Sequence, residues 1–262
     1  MSSPLLNEWE RVEVERSAAQ AAHTNLNDLL VPEDQIQRYL DPSADTCYPL
    51  EYSYYLLGDV RGKTVLDYGC GDGANTILLA RRGGHVKALD ISPELIDIAR
   101  QRLAVNQITG DVEFIIGSAH DVPLRDDSVD VVFGMTILHH LHLESSAREV
   151  KRVLAKGGRA IFREPVRNSK LFKLLRGLIP YRAQDVSPFE RPLSHKELAQ
   201  YADGFSSYRA RAFQLPSTNL VYALPPLKHQ LSRACHRFDA AALKMIPALS
   251  RYATVSVMEM VK

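Results

Sequence analysis

The sequence predicts an α/β protein with a parallel sheet and helices on both faces. Three observations carry that prediction. Short apolar strands alternate with helical patterns along the middle of the chain. The first strand, Thr64–Tyr68, runs into a turn with glycine at alternate positions, Gly69, Gly71 and Gly73, and a helix follows it. A second strand ends in an acid, Asp90.

Taken in order, residues 5 to 40 read as two helices, with Pro32 near the start of the second. Tyr48, Tyr52, Tyr54 and Tyr55 cluster before the first strand. Strands follow near 64–68, 86–90, 112–116, 129–134 and 158–163, and helices near 76–82, 93–105 and 143–155. Ser92-Pro93 with Glu94, and Glu144 further on, are helix-start signals, because acids suit the positive end of the helix dipole. Gly157-Gly158 closes the last of these helices. The candidate last strands are Ser207–Gln214 and Ala253–Val261. Between them, residues 217 to 251 leave room for two helices, interrupted by Pro225-Pro226 and Pro247. The chain carries no internal repeat and no low-complexity linker.

The glycine turn lets backbone approach a ligand closely, because no Cβ intervenes. Asp90 is placed to accept hydrogen bonds from both hydroxyls of a ribose. A dinucleotide fingerprint wants G-x-G-x-x-G, whereas this turn reads G-x-G-x-G with Ala74 in the next position. Asp67, two residues before the first glycine, separates the two cofactor classes that use this plan. A carboxylate there repels a pyrophosphate and attracts an ammonium group, which favours S-adenosylmethionine (SAM), whose methionine end is a zwitterion.

Five pieces then occur in a set order: Val65-Leu-Asp-Tyr-Gly-Cys-Gly-Asp-Gly73, Ala88-Leu-Asp-Ile-Ser-Pro-Glu94, Gly117-Ser-Ala-His-Asp-Val-Pro-Leu124, Asp127-Ser-Val-Asp-Val-Val-Phe133 and Arg152-Val-Leu-Ala-Lys-Gly-Gly-Arg159. Over residues 45 to 165 the chain resembles the class I SAM-dependent methyltransferases, in the small-molecule subgroup that includes ubiquinone and menaquinone biosynthesis enzymes. The resemblance implies a Rossmann-like, seven-stranded, mostly parallel sheet of order 3-2-1-4-5-7-6 with an antiparallel seventh strand. It implies one domain, divided into an N-terminal helical lid (1–58), a SAM-binding core (59–165) and a substrate cap with the last strands (166–262). It implies that Asp67 and the turn at Gly69, Cys70 and Gly71 hold the methionine end. Asp90 would take the ribose, Ile91 would pack on the adenine, and Ser118, Ala119 and His120 would lie at the adenine edge. Met135 and Thr136 would close over the sulfonium, and the product would be S-adenosylhomocysteine. Many relatives have an acid where this chain has Ser118.

Methyl transfer needs alignment and exclusion of water, and a base only where the nucleophile must lose a proton. The candidates for that role or for acceptor binding are His139 and His140 after strand four, and Arg163 and Glu164 at the end of strand five. Adjacent strand residues point to opposite faces, so Arg163 and Glu164 divide between them. Tyr48, Tyr52 and Tyr55 are candidates for the acceptor pocket, with core packing as the alternative. The loop at 165–195, with its amphipathic segment Lys170–Arg176, opens at the carboxyl ends of the strands and is expected to roof that pocket.

Composition narrows the classes. The chain has 262 residues, 24% charged and 45% hydrophobic, as in a soluble globular protein. No apolar run reaches the roughly 18 residues of a membrane helix, and Met1–Arg16 carries no signal-peptide core. Cys47, Cys70 and Cys235 are isolated, without metal-ligand spacing, so no metal site is expected and the expected location is a reducing cytoplasm. Net charge is +1, yet residues 163 to 244 hold fourteen Lys and Arg against six Asp and Glu, an excess of +8 that leaves −7 elsewhere. A basic half suits an anionic acceptor, nucleic acid or a membrane surface, or is simply a solvated face. No Asn-Pro-Pro-Tyr or Asp-Pro-Pro-Tyr follows strand four, which speaks against methylation of base amines. The reading is therefore methylation of an O or C atom of a small molecule by a monomer or homodimer. The alternatives are a peripheral-membrane lipid or quinone methyltransferase, an RNA-modifying enzyme, and a non-catalytic SAM-binding protein.

Overall fold

Strands form where β-branched and apolar residues run together, and they add outward from the first glycine turn. The computed structural model describes residues 4–167, 191–218 and 228–262. Five strands run parallel: β1 (Thr64–Tyr68), β2 (His85–Asp90), β3 (Val112–Ile116), β4 (Val129–Met135) and β5 (Leu154–Pro165). β7 (Val255–Val261) pairs antiparallel with β5, and β6 (Ser207–Phe213) pairs antiparallel with β7. The order is β3-β2-β1-β4-β5-β7-β6, as expected. The chain leaves β1 toward β2 on one side and returns to β4 on the other. The crevice at the carboxyl ends of β1 and β4 is therefore the place where this topology accepts a ligand.

Helices α1 (Pro4–Ala22), α2 (Glu33–Leu40) and α3 (Pro49–Leu57) precede the sheet. α4 (Ala74–Arg81), α5 (Pro93–Val105), α6 (Leu143–Val153) and α7 (His195–Tyr201) lie between its strands, and α8 (Lys228–Met245) joins β6 to β7. α5 starts where Ser92-Pro93 announces it, with the Ser92 hydroxyl accepting from the Leu95 amide at 3.2 Å. Alternate strand residues fill two cores. Leu66, Val132 and Phe162 pack with Val150, Leu198 and Tyr201 on one face. Val65, Val131, Phe133 and Ile161 pack with Tyr54, Leu57 and Leu79 on the other.

One expectation changes. α6 ends at Val153, and Gly157-Gly158 lies inside β5 rather than closing the helix. β5 starts at Leu154 opposite Val129, and the register shifts between Val129 and Val131 to accommodate the irregularity. The tyrosine cluster before β1 forms α3. Its last carbonyls, on Leu56 and Leu57, accept from Arg159 at 3.0 and 3.1 Å, which fixes α3 against the sheet. The segment Lys170–Arg176, expected to roof the acceptor pocket, lies outside the described residues. No described helix is long and apolar enough to cross a membrane.

Gly73 holds α4 close to α5. Its φ is +81°, and a Cβ there would lie 2.8 Å from the Ala99 Cβ. Gly62 also has positive φ, +70°, but nothing lies within 4 Å of its would-be Cβ. Gly73→Ala is expected to lower unfolding free energy by about 2–4 kcal/mol, and Gly62→Ala by about 1–2, because only the first adds overpacking to backbone strain. Urea unfolding of both variants checks this; equal losses would show that the α4–α5 contact relaxes freely.

Candidate active site

A cavity of about 470 Å³ opens at the carboxyl ends of β1 and β4, within the range of small-molecule sites. Its floor is the glycine turn. Gly69 has φ +75°, and any Cβ would lie 2.6 Å from the Ile137 side chain, so the turn and the segment after β4 meet only because this residue lacks one. The Gly69 and Cys70 amides both donate to the Leu89 carbonyl at 2.9 Å, which ties the turn to β2. Cys70 lines the cavity, but burial pushes its thiol well above the usual range, so it serves as a filler and not as a thiolate.

Asp90 ends β2 on the cavity wall. One carboxylate oxygen accepts from the Gly71 amide at 2.8 Å and the other from Ser92 at 3.0 Å. Burial raises its pKa, and the Ser92 and Gly71 amides oppose that rise. Ile91, Ser118, Ala119 and His120 line the same wall. The His142 amide donates to Nε2 of His120 at 3.0 Å, so the His120 proton sits on Nδ1, which faces Glu10 of α1 at 3.0 Å. Burial lowers the His120 pKa, in keeping with that neutral form. Ser118 also hydrogen-bonds Glu10.

The opposite wall follows β4. Met135, Thr136, Ile137, His139 and His140 line it. Thr136 has φ +58°, an outlier for a β-branched residue, held by its amide donating to the Arg163 carbonyl at 2.8 Å. The next turn is pinned by Glu164, which is fully buried. Its carboxylate accepts from the Ile137 and Leu138 amides, both at 2.9 Å, and lies 2.8 Å from Nδ1 of His139. A carboxylate that accepts from two amides receives a third hydrogen bond from Nδ1 of His139, which leaves Nε2 as the ring's other nitrogen. Glu164 thus orients a histidine that faces the cavity. The His140 ring lies 4.0 Å from that of His139, and its Nδ1 is 3.5 Å from Glu13.

α1 is the roof. Trp9, Glu10, Glu13, Arg16, Ser17 and Gln20 reach the cavity from one helical face. The Trp9 indole donates to the His140 carbonyl at 2.5 Å. None of these residues was singled out from the sequence, although their three-to-four spacing was the available signal.

Three sequence-predicted groups stand away from the cavity. Asp67 lies beneath it, fully buried, and accepts from the Thr76 hydroxyl of α4 at 2.6 Å, so the expected direct reach toward an ammonium group is not present in this geometry. Tyr48, Tyr52 and Tyr55 are absent from the lining. Tyr48 packs on the His236 ring at 4.7 Å, Tyr52 on Phe213 at 5.4 Å, and Tyr55 is 43% exposed. The reason is the docking of α3 on β5 and β7, which turns its aromatic residues to core and rim. Tyr54 is the exception, since its hydroxyl donates at 2.9 Å to Asn75, a cavity residue. Arg163 does not line the cavity either: it points to the face opposite Glu164, where burial lowers its pKa near Tyr39 and Tyr54.

Comparison with known proteins agrees with this fold. A family model described as a methyltransferase domain matches residues 66–162. Magnesium-protoporphyrin O-methyltransferase of Rhodobacter capsulatus is 42% identical over 101 residues, which are 38% of this chain and 42% of that protein. The chain therefore spans about two fifths of that relative's length. Ubiquinone biosynthesis O-methyltransferase of Paraburkholderia xenovorans is 30% identical over 184 residues, 64% of this chain and 77% of that one. The fold is shared with geranyl diphosphate C-methyltransferase of Streptomyces coelicolor, solved with geranyl diphosphate and S-adenosylhomocysteine, at a TM-score of 0.55 and 16% identity, over 80% of this chain and 77% of that one.

Burial pushes the Asp67 pKa up to about 7; the charges of Asp90 and Asp72 add to the rise and the Thr76 hydrogen bond opposes it. A raised folded-state pKa means the folded chain binds more protons than the unfolded one between about pH 4 and 7. The Asp67 contribution to stability is full below that window and is lost as pH rises through it, with a slope of up to about 1.4 kcal/mol per pH unit. Asp67→Asn should remove that slope. Urea unfolding of both proteins at pH 5 and pH 8 checks it; parallel pH dependences would place the titration elsewhere.

Proposed function

This chain belongs to the class I SAM-dependent methyltransferases, and we propose that it moves a methyl group to an oxygen or carbon atom of a small-molecule acceptor, with S-adenosylhomocysteine as the other product. The observation that carries the reading is the cavity that joins the glycine turn and Asp90 on one side to the buried Glu164–His139 pair on the other.

The residues present fit the methyl donor. The would-be Cβ of Gly71 has no atom within 4 Å, so backbone there is open to close approach. The Asp90 carboxylate, fixed by two amides, suits a ribose diol. When bound, SAM supplies a methyl group already activated by a sulfonium. The protein's own share is placement, exclusion of water and, for a hydroxyl acceptor, removal of a proton. α1 closes the cavity through Trp9 and Glu10. Nε2 of His139 takes the acceptor's proton, and Glu164 stabilises the resulting imidazolium through Nδ1, the division of labour of an oriented base. Thr136 and Met135 hold the wall between them. A cavity of about 470 Å³ beneath α1 supports a small-molecule acceptor.

Calorimetric titration with S-adenosylhomocysteine tests the donor site. Wild type should bind one-to-one, and Asp90→Ala should lose about 1.5–3 kcal/mol, roughly 10-fold or more in affinity. An affinity within twofold of wild type would remove Asp90 from the site, and no binding by wild type would overturn the donor assignment. His139→Asn should keep S-adenosylhomocysteine affinity and slow methylation of a hydroxyl acceptor by about 10²–10⁴-fold. An unchanged rate would leave the transfer to positioning alone.

A further inference from the structure

We propose that the outward face of α8 is a docking surface for an anionic bilayer. The surface stands on observations separate from the reaction proposed above. Leu231, Phe238 and Met245 recur every seven residues and are 41%, 65% and 80% exposed, and Ile246 follows at 53%. Seven-residue spacing keeps side chains on one side of a helix, with a drift of about 20° per repeat. Ala234 and Ala241, also exposed, fill the gaps between them. The result is an apolar ridge along the length of α8.

The rest of the helix explains why this face is left outward. His236 and Asp239 turn inward and are buried. Asp239 fixes the helix to the chain just after β6: its carboxylate accepts from the Leu215 amide at 2.8 Å and the Thr218 hydroxyl at 2.6 Å, and also from Ser217. Arg233, Arg237 and Lys244 are exposed and wind onto the flank on the other side of the ridge. Asp239 is the single acid in residues 228–245, and it is consumed inside, so every formal charge that α8 presents outward is positive.

An apolar ridge with a basic flank and no outward acid is the pattern of a helix lying in the headgroup boundary. Charge decides the occupant. A second copy packed antiparallel would bring two rows of Arg and Lys together. A partner helix would need holes to receive these side chains, whereas a fluid acyl boundary accepts a protruding ridge without them. Topology adds a consequence: β6 ends and β7 begins at the edge where β5 ends, so α8 sits at the same end of the sheet as the cavity.

The test is co-sedimentation of the full chain with vesicles of phosphatidylcholine alone and of phosphatidylcholine mixed with phosphatidylserine. The protein should pellet with the mixed vesicles only, and less so as salt screens the contact. The triple variant R233Q, R237Q, K244Q should weaken that binding about 100-fold, at about fivefold for each cation. The double variant F238D, M245D should abolish it. Both variants should bind S-adenosylhomocysteine as wild type does, which separates loss of the surface from loss of the fold or of the donor site. Failure of wild type to pellet with either vesicle would overturn the proposal. So would pelleting untouched by both variants, or a dimer that F238D, M245D converts to monomer without any vesicle binding.

Discussion

The site depends on one buried carboxylate. Glu164 is fully shielded from water, and three groups from the segment after β4 satisfy it: the Ile137 amide, the Leu138 amide and the His139 ring. A buried charge is tolerated only when its hydrogen-bonding capacity is met, and removal of its partners costs several kcal/mol. The converse is equally binding. The segment cannot move from β5 without stranding that charge, so the cavity wall it forms is rigid. Thr136 keeps its strained backbone for the same reason, since it is trapped between β4 and a turn fastened to β5.

The roof inherits its position from that wall. α1 touches the turn through the Trp9 indole on the His140 carbonyl and through Glu13 beside the His140 ring. Burial raises the Glu13 pKa, but the hydrogen bond and charge of His140, with help from Arg16, more than offset this and hold it low. On the other wall Glu10 meets Ser118 and His120. A second brace runs below: Arg102 of α5 donates to the Asp72 carbonyl of the glycine turn at 2.9 Å and pairs with its carboxylate at 2.5 Å. Turn, wall and roof are thus one hydrogen-bonded unit.

How much of this was legible in the sequence depended on the range of the interaction. β1 and β3 matched the expected bounds because apolar β-branched runs and their turns are local signals. α5 matched because Ser92-Pro93 fixes its start chemically. Gly157-Gly158 misled because a glycine pair ends a helix as readily as it bends a strand, and the choice lay with Val129, far away in sequence. The α3 tyrosines were ambiguous for a related reason: an aromatic helix can face a cavity or a core, and the Arg159 contacts that decide it come from β5. Trp9 was missed because its partner lies 131 positions on. Asp67 was placed in the right turn, while its partner Thr76 drew the carboxylate inward.

The same distinction separates what is general in this protein from what is particular to it. The floor and the donor-side wall come from consecutive residues at the ends of β1 and β2, where backbone conformation leaves little freedom: glycine at Gly69 and Gly73, an acid at Asp90. The roof is built from one face of α1, where any side chain of fitting length satisfies the helix, so its residues are free to follow the acceptor. His139 stands at the boundary. Its orientation belongs to the wall through Glu164, while its ring lines the cavity that α1 covers. Wall and roof are therefore separable parts, the first fixed by a buried carboxylate and the second by one face of a helix.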